Sequence, residues 1–160
     1  MSFDLFLERL VEGESAPVDR SRVLEVLRKH CQKAADAFGF YNVEFTDGSR
    51  VELSAKNLES DGGFTGCAFH LRSFSPLIIA FVFDVAVAGD MMICNAQGRD
   101  TPDEPLVILV DQSQVKSLPA AIASNPVFCS SPYRLAELIV IGLGKWTEFR
   151  DTAIGKSRNC

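Results

Sequence analysis

The sequence predicts a single-domain α+β protein, in which a mixed, mostly antiparallel sheet packs with three main helices at about 19–38, 76–88 and 132–149. Three observations carry that prediction. The stretch from Ser75 to Gly89 is apolar on both sides and is bounded by helix start and stop residues. Before it runs a meander of short strands with alternating apolar residues. After it, Leu106 to Ile122 and Val127 to Ile139 read as strand–helix units, and a meander followed by such units makes a mixed domain. The chain has 160 residues, enough for one domain with a real core, and at 47% hydrophobic and 23% charged its composition is globular.

The elements follow in order. Phe3, Leu5 and Leu7 alternate with Asp4, Phe6 and Glu8, which predicts a first strand, and Gly13 to Pro17 reads as a loop. Asp19 or Ser21 caps the first helix. Its apolar stripe is Val23, Leu24, Leu27, Cys31, Ala34, Ala35 and Phe38, with Gly39 ending the run. Next comes a hairpin. A two-residue Asp47-Gly48 loop sets Phe45 opposite Arg50. A three-residue Thr46-Asp47-Gly48 loop sets Val43 opposite Val51, Tyr41 opposite Leu53 and Glu44 opposite Arg50. The second register keeps one face apolar and pairs opposite charges, so it is preferred. Lys56 to Gly63 is a polar loop, and Gly66 to Arg72 is a strand with Cys67, Phe69 and Leu71 on one face.

The central stretch has a rival reading as a buried strand, since it is rich in β-branched and aromatic residues. Length and end signals favour helix. Ser75 is placed to cap it, Pro76 suits the first helical position, and Gly89 suits a left-handed close. The run is too short for a bilayer, which needs about 20 apolar residues, and Asp84 sits in its middle. Met91 to Cys94 is a short strand, Gln97 to Pro105 a loop, and Leu106 to Val110 a fully apolar central strand. Asp111 caps a short helix through Val115 and Leu118. Val127 to Cys129 is one more strand. The last helix opens at Ser131-Pro132, carries Leu135, Leu138, Ile139, Leu143 and Trp146, and is weakened by Gly142 and Gly144. A tail from about 153 frays.

Charge and cysteine usage narrow the function classes. A formal charge of −5 argues against general nucleic-acid binding and suits a basic protein partner. The N-terminus lacks a basic region followed by a long apolar run, and the five cysteines are scattered without a Cys-x-x-Cys pair. Both point to reduced thiols in the cytoplasm. Cys67-x-x-His70 has the spacing of a zinc pair, but on a strand residues three apart face opposite ways, so no metal is expected. His30 and His70 are the only histidines, and no nucleophile motif stands near either. Gly62-Gly63-Phe64-Thr65-Gly66 precedes a strand and lacks the Lys-Ser/Thr of a phosphate loop, so no cofactor is expected.

The opening Ser2-Phe3-Asp4-Leu5-Phe6-Leu7, followed by Gly13-Glu14, resembles a family of small bacterial proteins without established activity. The resemblance extends to the hairpin near Phe45-Thr46-Asp47-Gly48, the apolar helix ending near Gly89-Asp90, and the late strand–helix at Ser130-Ser131-Pro132. Some proteins of this look are similar to immunity proteins, which bind and block a toxin enzyme. The resemblance implies a non-catalytic binding module and brings no catalytic residues. The alternative is a small enzyme or ligand-binding domain with a pocket near His70, Arg72 and Asp84.

Overall fold

The computed structural model describes residues 2–95 and 106–139. Its main sheet has seven strands in the order β4-β5-β6-β1-β7-β8-β9. They are β1 (Phe3–Glu8), β4 (Phe40–Glu44), β5 (Arg50–Ser54), β6 (Gly66–Leu71), β7 (Met92–Asn95), β8 (Leu106–Leu109) and β9 (Val127–Phe128). Every neighbouring pair is antiparallel except β8 with β9. Two short strands, β2 (Leu10–Val11) and β3 (Glu14–Ser15), form a separate hairpin. The helices are α1 (Arg20–Arg28), α2 (Pro76–Gly89) and a third, α3, described over 132–139. With this mostly antiparallel sheet and three helices, the protein is α+β, as its sequence predicts.

Burial assigns the two faces of the sheet. Phe3, Leu5, Leu7, Val43, Val51, Leu53, Phe69, Leu71, Ile93 and Ile108 all join one core with Val23 and Leu27 of α1, Ile78, Phe81 and Val85 of α2, and Leu135 and Ile139 of α3. The helices therefore cover this inner face. Among the described residues the outer face is covered at only one end. There Met92, Val107 and Leu109 pack with Leu10, Leu118 and Ile122, beneath the β2–β3 hairpin and a 3₁₀ helix, Gln112–Ser117. Strand β8 is thus buried on both sides, which explains its unbroken apolar sequence.

Local chemistry sets the preferred hairpin register. Val43 lies opposite Val51, Tyr41 opposite Leu53 and Glu44 opposite Arg50, with Gly48 in the left-handed region at φ 79°. The stretch 13–17, expected to be all loop, instead contributes β3. Glu12 and Gly13 both take positive φ, which closes a tight β2–β3 turn.

The first helix is shorter than its sequence predicts. Asp19 caps it, but it stops at Arg28, not near residue 38. The backbone N–H groups of His30 and Cys31 both return to the Leu27 carbonyl, and the Arg28 guanidinium binds the carbonyls of Cys31 and Lys33. Asp36 then accepts from the N–H groups of Phe38 and Phe40 and turns the chain into β4. Phe38, the last residue of the expected stripe, is 81% exposed. The helical spacing beyond residue 29 is coincidental.

The central stretch is helical, with Ser75 accepting from the N–H of Ile78 and Pro76 in the first turn. Two details differ from expectation. Asp90, not Gly89, takes the left-handed conformation at φ 51°. Gly89 is needed for room, since a Cβ there would stand 2.5 Å from the Met91 side chain and 3.1 Å from Val18. The helix is also not sequestered all round. Asp84 is exposed, as are Leu77 and Val87 along the same stripe. Ser75→Ala removes the cap and is expected to cost about 1 kcal/mol, seen as a lower urea midpoint at unchanged slope.

Asp111 and Gln114 form a capping box on the 3₁₀ helix. Gln114 also donates to Asp90 at 3.1 Å, which ties the end of α2 to the outer-face cover. The helix expected to 149 is described only to 139. Residues 97–105, Leu143, Trp146 and the tail from 153 lie outside the described residues. Among the described residues, no helix is long and apolar enough to cross a membrane.

Candidate functional site

The uncovered half of the outer face, on β4, β5, β6 and β1, gathers the polar side chains that strand alternation turns away from the core. Two rows can be read from the register. Asn42, Glu52, His70 and Asp4 stand side by side across four strands. The next row is Phe40, Ser54, Ala68, Phe6, Cys94 and Val107. The face therefore grades from charged at the β4–β5 end to apolar at β7.

In the charged row, His70 Nδ1 lies 2.9 Å from Asp4 Oδ1. A carboxylate only accepts, so Nδ1 carries the proton and Nε2 is the ring atom left for a ligand. The Phe40 ring lies 5.8 Å from the imidazole, tilted against it by 37°. Arg72 Nη2 donates to Glu52 Oε1 at 3.1 Å, and Arg50 Nη2 donates to Glu44 Oε1 at 3.1 Å. These groups and Lys33 border a cleft of about 590 Å³ at the hairpin end of the sheet.

His70 and Arg72, both singled out from the sequence, line this one cleft. Asp84 does not join them. It lies on α2, whose Phe81 packs against Phe69 on the inner face, while His70 projects from the outer face. The three-residue pocket is thereby corrected to a two-residue one. Sequence reasoning missed Asp4, Lys33, Arg50 and Glu52 as companions of His70. Only Arg50 carried a local signal, through its place opposite Glu44 in the hairpin.

No family model, curated protein or solved structure matches the chain.

The His70–Asp4 pair can hold or move a proton at Nε2, but no Ser, Thr or Cys among the described residues hydrogen-bonds that ring. Cys67 is on the inner face of the same strand, and burial pushes its thiol up to about 12, so it is neither nucleophile nor His70's co-ligand. Cys94 shares the outer face, where burial, reinforced by nearby Glu8, also raises its pKa. Among the described residues no group of three or more His, Cys, Asp or Glu side chains is placed to hold a metal ion.

Proposed function

We propose that the protein is a non-catalytic protein-binding module whose partner docks on the open half of the outer sheet face. Phe6 carries this reading. It is 45% exposed in the middle of a sheet, on a strand whose other face is fully buried. Ala68 and Cys94 flank it, and the Asp4–His70 pair stands in the next row. An apolar centre with charged groups along its edge is a common build for a protein interface. The proposed partner is a basic protein, since a chain of net charge −5 attracts one over long range, and it meets the apolar centre around Phe6 and not the cationic cleft at the hairpin end. An immunity-type inhibitor of a bacterial toxin is the specific form of this proposal. Its support is the sequence resemblance, and cytoplasmic residence belongs to the same proposal.

A photo-crosslinking residue at position 6, in cells expressing the protein at native level, tests it. The expected product is a covalent adduct with one basic protein. Phe6→Asp is then expected to weaken binding of that protein at least about tenfold without loss of folding. Adducts formed from position 87 on α2 but not from position 6 would overturn the assignment. A second reading, a ligand-binding domain, is favoured by the cleft that His70 and Arg72 line.

A further inference from the structure

We infer that the cleft at the hairpin end of the outer face is a recognition site for a small polyanion bearing two or more carboxylate or phosphate groups. The inference rests on the ligand-binding reading of this cleft and is independent of docking at Phe6. Its ground is the clustering of Lys33, Arg50, His70 and Arg72 around one cleft of ligand size.

The clustering runs against the composition of the chain. The protein has 16 Lys and Arg residues and 21 Asp and Glu residues, so acid should dominate a random patch. The cleft lining instead carries Lys33, Arg50 and Arg72 against Glu44 and Glu52. Lys33 has no ion-pair partner among the described residues. The hydroxyl-bearing Ser49 and Ser73 add donors at the rim.

The two glutamates do not use up the arginines. Each meets its arginine through a single recorded contact, Nη2 to Oε1, and leaves the other guanidinium N–H groups for a ligand. Both arginine side chains are largely exposed, at 74% and 69%. Exposed pairs of this kind contribute little, so a ligand that offers better acceptors displaces them readily. Arg50 and Arg72 stem from different strands, which favours an anion with at least two separate charged groups.

Titration of the ¹⁵N-labelled protein with citrate, pyrophosphate, glucose and spermine, at matched ionic strength, tests this. Saturable amide shifts around Lys33, Ser49, Arg50, His70 and Arg72 are expected with citrate, pyrophosphate or both, and the pair separates carboxylate from phosphate preference. The double variant Arg50→Gln/Arg72→Gln should weaken the effect at least tenfold, whereas Arg134→Gln, which breaks another exposed pair, should leave it unchanged. Shifts at these amides with glucose or spermine alone would overturn the polyanion while keeping a ligand site. Shifts with none of the four would overturn both. Anion binding that the double variant retains would place the anion elsewhere and sink the inference.

Discussion

Phe81→Ala is expected to remove about 3–5 kcal/mol of folding stability, a large share of the 5–15 kcal/mol typical of a domain. Phe81 is almost wholly buried on α2, and its ring meets three others. Phe69 of β6 lies at 5.5 Å, Phe45 at the end of β4 at 5.7 Å, and His30 just beyond α1 at 5.1 Å. All three contacts are edge-on, the arrangement that adds about 0.5–1.5 kcal/mol per pair beyond burial alone. The rings come from separate elements, and Phe69 is fixed by strand pairing on both sides. The wall around the lost ring therefore closes in poorly, and the upper part of the range is expected. Urea denaturation followed by circular dichroism checks it. Phe128→Ala, at a half-exposed edge ring, should cost far less, and equal losses at the two positions would refute the hub role of Phe81.

Gly66→Ala is the second large effect. A Cβ at Gly66 would stand 2.2 Å from the Leu7 carbonyl oxygen and 3.1 Å from Glu8 Cα. Both obstacles are backbone of β1, which pairs with β6 at this point. A flexible side chain would swing away, but here one of the two strands must move. The expected cost is about 3 kcal/mol, near the top of the usual range for overpacking. For a domain of this size that is a fall in Tm of roughly 6–12 °C. Gly63→Ala is the matched control, since a Cβ there meets nothing within 4 Å, and its Tm should barely change. A Gly66→Ala protein that melts with the wild type would show that β1 and β6 separate easily here.

These positions mark where the sequence was readable. The 40–54 hairpin was legible to the residue, because a turn and an alternation seven residues apart decide it. The N-caps of α2 and of the 3₁₀ helix were legible for the same reason. Residues 30–38 were not. Their apolar spacing imitates a helix, and it is the Arg28 and Asp36 side chains that divert the backbone. The open stripe of α2 was also missed, since Leu77 and Val87 look like core in a sequence. In the site, alternation alone put His70 opposite Phe69. Its carboxylate partner is 66 residues away, and nothing local names Asp4. Asp84 shows the converse, because a lone charge in an apolar helix attracts notice wherever the fold places it.

Strand β1 occupies the middle of the sheet, between β6 and β7. In synthesis β1 emerges ahead of both strands that flank it. Leu5 waits for Phe69 and then for Asn95 before it has both neighbours. Until then a ribbon of Phe and Leu side chains is left without a mate, in the kind of long-range closure that folds slowly and clumps readily.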